Sequence, residues 1–393
     1  MNQILEVEIE RILPGGVGLA HAGGATVFVP LSAPGDRLRV RVERQQGKVL
    51  FASIEEVVVE SPKRIQPPCP YFGRCGGCDF QQMDYATQLS VKSEIIRDCL
   101  HRITKLDHLP EIVVTPSPDT WNYRGRATWQ IDREEKRIGY YERGSRRVCD
   151  VADCAVLSPD LQQTLTGVRN TPWISVPPDL KHLEATVADG LASLSPSFAN
   201  FHTIELRLKI GDEVYHYDAR AFFQVNQSLL VPMIEFVLNG VAGDSALDLY
   251  CGVGLFTLPL ARKFRRVVGV ESGPAAIKYA KRNIQRAQLT NVKIVGTTVS
   301  QWVRDDASGF GPVDYVLLDP PRAGAETVVI NGILGLKPKQ ITYVSCDPAT
   351  LARDLKKLIA GGYVVDSILA FDMFPQTHHV ETVVHLKPAI DKE

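Results

Sequence analysis

The chain has 393 residues, 45% of them hydrophobic and 23% charged, enough for two or three domains with sizeable cores. Its 44 Lys and Arg against 45 Asp and Glu exclude recognition of nucleic acid by a global basic field, so any such binding must use local patches. No stretch is apolar for long enough to span a bilayer, and the first residues have neither the basic nor the apolar region of a signal peptide. A cytoplasmic chain with no membrane partner is therefore expected, and its eight cysteines suit metal binding or catalysis better than disulfides.

Residues 1–60 read as short strands with glycine turns. Leu5, Val7 and Ile9 alternate with Glu6, Glu8 and Glu10, and Gly15-Gly16 and Gly23-Gly24 punctuate the runs. Leu38, Val40 and Val42 alternate with Arg37, Arg39 and Arg41, so one face is apolar and the other basic. Several short strands in so small a unit suggest a barrel of the oligonucleotide-binding kind. Its basic face is either a solvated exterior or a phosphate-contacting strip. The segment resembles a TRAM domain, a small RNA-binding barrel. Ser61 to Pro68 reads as a linker.

Cys69, Cys75 and Cys78 follow as C-x5-C-x2-C, with Gly73, Gly76 and Gly77 between them. Glycines let a tight loop wrap thiolates around one centre. A fourth ligand is needed, with Cys99, Cys149 and Cys154 as candidates, and the spacing does not separate zinc from an iron–sulfur cluster. Cys99 falls in the helical pattern Leu89, Ile95, Ile96, Leu100, Ile103 and reads as core. The motif Cys69-x5-Cys75-Gly76-Gly77-Cys78-x2-Gln81 resembles the iron–sulfur motif of bacterial RNA uracil-5-methyltransferases. That resemblance implies a [4Fe–4S] cluster, with Cys154 in Asp153–Pro159 as the fourth ligand.

The middle region, assigned with the cysteine loop to a domain spanning 61–230, has mixed strand character. Trp121 to Arg147 carries eight basic residues, Arg124, Arg126 and Arg143 among them, against four acidic ones. Trp121, Tyr123, Trp129, Tyr140 and Tyr141 are interleaved. The mixture suits single-stranded RNA, with guanidinium on phosphate and ring on base, or equally a charged sheet with an aromatic core; the resemblance implies the first, an RNA-binding surface on this domain. Phe222-x-Gln224-x-Asn226 matches a motif of the same family, which implies a cofactor contact for Gln224.

Residues 231–393 alternate strand and helix, an α/β domain with a parallel sheet. Ala246 to Tyr250 is a short buried strand, Cys251-Gly252-Val253-Gly254 a tight turn, and Leu255 to Arg262 an apolar-periodic helix. Glu271 ends the next strand, a position that suits a ribose diol. Thr257 stands where a dinucleotide fingerprint would have Gly or Ala, so the loop is closer to that of class I (Rossmann-like) S-adenosyl-L-methionine methyltransferases. Asp319-Pro320-Pro321-Arg322 leaves a carboxylate at the C-terminal rim of the sheet, where ligands bind. In Ser345-Cys346-Asp347-Pro348 a thiol sits between a strand end and a helix start, where the helix dipole is expected to favour the thiolate. His379 and Glu381 lie near the end of the chain.

These motifs occur in the order of the RNA uracil-5-methyltransferase family, and the chain is similar to that family along essentially its whole length. The type nearest to it modifies 23S ribosomal RNA and carries a TRAM domain and a cluster. The resemblance implies Cys346 as nucleophile, Glu381 as general base, and Gln224, Tyr250, Glu271 and Asp319 at the S-adenosyl-L-methionine site. It implies 5-methyluridine in 23S ribosomal RNA, with a transfer-RNA uridine as the alternative, and a monomer is expected. A non-catalytic RNA-binding factor, or a methyltransferase for another acceptor, are the readings from other classes. Leu255 and Thr298 depart from residues found in some members and bear on individual cofactor contacts.

Overall fold

The structure, a computed structural model, describes residues 3–106 and 108–389. Its first sheet has six strands: β1 (Ile4–Glu8), β2 (Arg11–Leu13), β3 (Val17–Ala22), β4 (Ala25–Pro30), β5 (Arg37–Gln46) and β6 (Val49–Val59). Their order is β1-β5-β6-β4-β3-β2. The alternation along β5 works as the sequence implies: Leu38, Val40 and Val42 are buried and Arg37 and Arg41 exposed. Two of the arginines of that outer face are paired. Arg39 pairs with Glu6 and Glu56, and Arg41 with Glu55. Exposed pairs of this kind add little to stability, but they offset the charge of Arg39 and Arg41.

Helix α1 (Tyr85–Thr104) starts at Asp84, whose carboxylate accepts from the Thr87 amide at 2.8 Å. Its apolar stripe of Val91, Ile95, Ile96, Cys99 and Leu100 is buried, so Cys99 is core. The short strand β7 (Val113–Thr115) follows.

A second, antiparallel sheet contains β8 (Arg126–Asp132), β9 (Arg137–Tyr141), β10 (Val148–Asp150), β11 (His182–Ala188) and β12 (Leu191–Ser195), in the order β10-β9-β8-β11-β12. Helix α2 (Pro159–Arg169) covers one face, burying Trp129 among Leu161, Leu165 and Leu183. The hairpin β13 (Leu206–Ile210) and β14 (Glu213–Tyr217) packs beside the next domain's helices.

The last part contributes α3 (Leu230–Val237), β15 (Gly243–Leu249), α4 (Thr257–Ala261), β16 (Phe264–Glu271), α5 (Pro274–Arg286), β17 (Val292–Gly296) and α6 (Val299–Asp305). It continues with β18 (Tyr315–Leu318), α7 (Thr327–Leu336), β19 (Gln340–Ser345), α8 (Pro348–Ala360), β20 (Tyr363–Phe371) and β21 (Glu381–Pro388). The sheet runs β17-β16-β15-β18-β19-β21-β20-β7, parallel except for β21, which is antiparallel to both its neighbours.

Successive strand residues enter opposite cores. Leu247, Leu249, Val316 and Tyr343 pack with α6, α7 and α8, while Ala246, Tyr315, Leu317 and Val344 pack with α3, α4 and α5. Two elements from far upstream complete this layer: α1 packs on α8, and β7 extends the sheet beside β20.

Candidate active site

The C-terminal ends of the parallel strands open on a cleft of about 1100 Å³. Gln224, Tyr250, Gly252, Glu271, Asp319, Cys346 and Glu381 all line it. Six residues expected at the cofactor and reaction sites from sequence thus share one cavity.

The glycine loop begins with Tyr250 at φ 66°, its amide donating to Val270 O at 3.0 Å. Gly252 and Gly254 have φ of 56° and 95°, left-handed values that favour glycine. Glu271 holds the loop: one carboxylate oxygen accepts from Gly252 N at 2.9 Å and the other from Ser272 N and Gly273 N at 2.8 and 2.6 Å. A carboxylate offers about four acceptor positions, so one remains for a ligand hydroxyl.

Thr257, the departure from a dinucleotide fingerprint, has a use of its own. Its hydroxyl donates to Asp248 Oδ2 at 2.5 Å. Asp248 is fully buried, its Oδ1 has no partner among the described residues, and burial pushes its carboxyl up to about 7. Leu255 and Thr298 both border the cleft; Thr298 caps α6, accepting from Gln301 N at 3.2 Å. Helix α4 is shorter than the periodicity predicts, because Leu255 and Phe256 are still in the turn.

Cys346 follows β19 directly and Glu381 opens β21. The antiparallel register pairs Ser345 with Thr382, which places Cys346 opposite Glu381 one step further on. Burial raises the Glu381 carboxyl to about 7, while the Arg322 guanidinium opposes the rise. Burial, then Glu381 and Asp248, raise Asp319 well above the usual carboxylate range. The two carboxyls titrate as a pair.

Two features of the site oppose the thiolate expected at Cys346. Asp347 takes up the amides at the start of α8, accepting from Ala349 N at 3.0 Å and Thr350 N at 2.8 Å. Burial pushes the Cys346 thiol up to about 12, with Glu381, Asp319 and Asp347 adding to the rise and only Arg322 opposing it.

Arg322 is the site residue that the sequence reading passed over, although it stands in the quoted Asp-Pro-Pro-Arg motif. It lines the cleft and lies 3.2 Å from His379 Nε2. His379 is held uncharged: burial, then His378 and Arg322, lower its pKa to about 3.

The basic middle segment divides: Lys136, Arg146 and Arg147 are exposed, whereas Arg124, Arg126 and Arg143 are partly buried and engaged within the protein. Arg124 borders both this cleft and the cysteine cavity. Arg126 donates to Ala219 O and Ala221 O, both at 2.8 Å, and to Glu184. Arg143 donates to Cys78 O at 2.8 Å. Trp129 and Tyr123 are core, whereas Tyr141 is exposed. Arg126, Arg143, Tyr123 and Trp129 thus serve the packing of the sheet, and the exposed Lys136, Tyr141, Arg146 and Arg147 remain on its surface.

Cys69, Cys75, Cys78 and Cys154 line one cavity with Tyr71, Phe72, Tyr140 and Val156. Cys149 lies outside its lining and accepts from Arg74 Nε at 3.3 Å. Burial raises the thiols of Cys75 and Cys78 to about 11 and 12. Among the described residues no three His, Cys, Asp or Glu side chains form a closed metal-holding set.

A Rossmann-like sheet with a glycine loop, a rim carboxylate and a thiol on one cleft defines a methyltransferase. Two family models match: tRNA (Uracil-5-)-methyltransferase over residues 199–389, and the TRAM domain of tRNA (uracil(54)-C(5))-methyltransferase over residues 5–62. The 23S rRNA (uracil(1939)-C(5))-methyltransferase RlmD of Enterobacter sp. is 34% identical, with 98% of this chain and 96% of that one covered. The enzyme of the same name from Pectobacterium atrosepticum is 33% identical, with 96% and 92% covered. Among solved structures, the tRNA (uracil-54, C5)-methyltransferase of Pyrococcus abyssi in complex with S-adenosyl-L-homocysteine superposes with a TM-score of 0.75. It is 26% identical, with 97% of this chain and 100% of that one covered. The chain belongs to the RNA uracil-5-methyltransferase family, and it is an S-adenosyl-L-methionine-dependent enzyme that methylates uridine C5 in RNA. No helix is long and apolar enough to cross a membrane among the described residues.

Proposed function

We propose that the enzyme makes 5-methyluridine in 23S ribosomal RNA through an adduct between Cys346 Sγ and uracil C6, with Glu381 removing the C5 proton. The position of Cys346 opposite Glu381, on the cleft that also holds the glycine loop, carries this reading. Uracil C5 is a weak nucleophile, and addition of sulfur at C6 turns the base into an enolate that reacts at C5. S-adenosyl-L-methionine, held by Gln224, Tyr250, Glu271 and Asp319, supplies an electrophilic methyl group. The Cys346 thiol must lose its proton as the base arrives, and that proton passes to solvent through the open cleft. Once that proton has left to solvent, Glu381 takes the C5 proton and the C6–S bond breaks, restoring the aromatic base and the thiolate. A carboxyl near 7 suits such a base at physiological pH. The uridine must be unstacked or flipped to enter the cleft.

Cys69, Cys75, Cys78 and Cys154 are proposed to hold a [4Fe–4S] cluster. Their thiols border one cavity with apolar walls, and thiolate is the donor that such clusters take. The reaction transfers no electron, so the cluster's part is structural. The boundaries 1–60, 61–230 and 231–393 are proposed as the domain division, with α1 and β7 lent by the middle domain to the last.

The wording of the matched TRAM model and the Pyrococcus abyssi structure favour a second reading, a transfer-RNA uridine. The higher identity of the 23S enzymes over nearly whole chains favours ribosomal RNA. Nucleoside mass spectrometry of 23S RNA and transfer RNA, separately purified from cells with and without the gene, decides. Loss of 5-methyluridine from 23S RNA alone is expected. Loss from transfer RNA alone establishes the second reading, and loss from neither sinks both.

A further inference from the structure

The loop between β20 and β21, residues 372–380, carries Phe374 into the cleft and ends on Glu381. Its anchors come from residues 79–123, far away in sequence. Lys92 Nζ donates to Asp372 at 2.5 Å and to Phe374 O at 3.1 Å, and Tyr123 OH to Pro375 O at 3.0 Å. Gln88 and Gln376 exchange two bonds of 3.0 Å. Gln376 has φ 69°, a left-handed value for a residue with a side chain, so the loop needs such holding.

The anchor nearest Glu381 is Asp79, the residue after Cys78. Its amide and that of Phe80 donate to Gln376 O at 3.1 and 3.0 Å. Its carboxylate accepts from His378 N at 2.8 Å and meets His378 Nδ1 at 2.5 Å. Asp79 is 8% exposed. The turn between β2 and β3 closes over this link: a Cβ on Gly16 would stand 3.2 Å from both Asp79 Oδ2 and His378 Cβ. Beyond His378, the next residue, His379, stands beside Arg322, and Val380 is fully buried, so the chain has little freedom before Glu381.

We infer that Asp79 is a positioning residue for the reaction, fixing His378 through both carboxylate oxygens and thereby setting where Glu381 stands relative to the bound base. The inference rests on the reading of Glu381 as the base. It predicts a defect confined to the second half of the reaction. Addition of Cys346 and methyl transfer need no base at C5, whereas release of the adduct does.

Two substitutions test it from opposite sides, Asp79→Ala in the cysteine loop and His378→Ala in the base loop. Each is expected to slow turnover on ordinary RNA on the order of tenfold to a hundredfold, the scale of a misplaced catalytic group. Each should also accumulate a covalent protein–RNA species on denaturing gels. Trapping on 5-fluorouridine RNA, which forms the adduct but has no C5 proton to lose, should keep the wild-type rate. The double variant should be no slower than either single one, because both remove the same link. Asp79→Asn, which keeps an acceptor for His378 N, should recover most of the turnover. Wild-type turnover in both single variants overturns the inference, as does a fluorinated-RNA trapping rate that falls by the same factor as turnover. Glu381→Gln is the reference. Accumulation there but in neither of the other variants overturns the positioning role and leaves the base assigned; accumulation in none overturns both.

Discussion

Cys346 and Glu381 face each other across neighbouring antiparallel strands, one step past the register partners Ser345 and Thr382. The thiol that adds to C6 and the carboxylate that clears C5 would work on adjacent carbons of one ring, so two strand ends side by side are a sound frame for them. Cys346→Ala should therefore abolish both turnover and the adduct with 5-fluorouridine RNA. Glu381→Gln should abolish turnover but retain the adduct. Denaturing gels with labelled RNA check both, and an adduct persisting in Cys346→Ala would move the nucleophile elsewhere.

The pH dependence follows from the same pair. Glu381 works as a base only when ionised, and burial places its carboxyl at about 7. Turnover should fall about tenfold per unit below that value and level off above it. Arg322 opposes the rise at both Glu381 and Cys346. Arg322→Ala should therefore move the acid limb to higher pH. It should also slow alkylation of Cys346 by iodoacetamide at pH 8, since less thiolate is present. A pH–rate profile unmoved by this substitution would remove Arg322 from the electrostatics of the site.

The sequence shows the parts of this site that are local and hides those that are not. The glycine loop, the Asp-Pro-Pro-Arg rim and the cysteine before α8 are each written within ten residues, because a strand end and the following turn are set by neighbours in the chain. The protonation of Cys346 is not written there. It depends on Glu381 from another strand and on Asp347 capping the helix that was expected to stabilise a thiolate. The holding of the base loop is also invisible to pattern, since Gln88 and Gln376 are 288 residues apart. The middle basic segment is legible only in part, for a related reason. Charge density along the chain does not reveal that Arg126 is spent on Ala219 O, Ala221 O and Glu184, or that Arg143 closes on Cys78 O.

Thr257→Val tests the support of the glycine loop. The substitution keeps the shape and removes the only donor to Asp248, whose other oxygen already lacks a partner among the described residues. A buried acceptor left unmade costs about 1–3 kcal/mol. Asp248 has a folded pKa raised to about 7, so it favours the folded state below the unfolded carboxylate value and that contribution is lost as pH rises through about 7. Thr257 lowers this pKa, so the variant should raise it further and lose more stability between pH 6 and pH 8 than the wild type. Thermal unfolding at the two pH values, with calorimetric titration of S-adenosyl-L-methionine, measures both effects.

The four-thiol assignment separates Cys154 from Cys149. Cys154 lines the cavity with Cys69, Cys75 and Cys78, and Cys149 does not. Cys154→Ser should lower bound iron and bleach the visible absorbance of anaerobically purified protein. Cys149→Ser should leave both near the wild-type level. The reverse result would make Cys149 the fourth ligand, and iron-free protein with four bound zinc-type thiolates would replace the cluster with zinc.

Lys92 and Asp372 form an ion pair with both side chains fully buried, 2.5 Å apart, under the loop that leads to Glu381. Burial lowers the Lys92 pKa and Asp372 opposes the fall, so the charged state depends on the partner. Lys92→Met leaves a buried carboxylate with no counter-ion and Phe374 O without its lysine donor. Removing one partner of such a pair costs about 3–5 kcal/mol, whereas replacing both with apolar groups is often close to neutral. Lys92→Met should therefore unfold at markedly lower urea than the wild type, and Lys92→Met with Asp372→Leu should regain most of the loss. If the pair serves stability alone, the double variant regains turnover as well. If the lysine also places the loop through Phe374 O, turnover stays low at restored stability, and covalent enzyme–RNA adduct accumulates because the base at the end of that loop is misplaced. Urea titrations beside single-turnover gels distinguish the two outcomes.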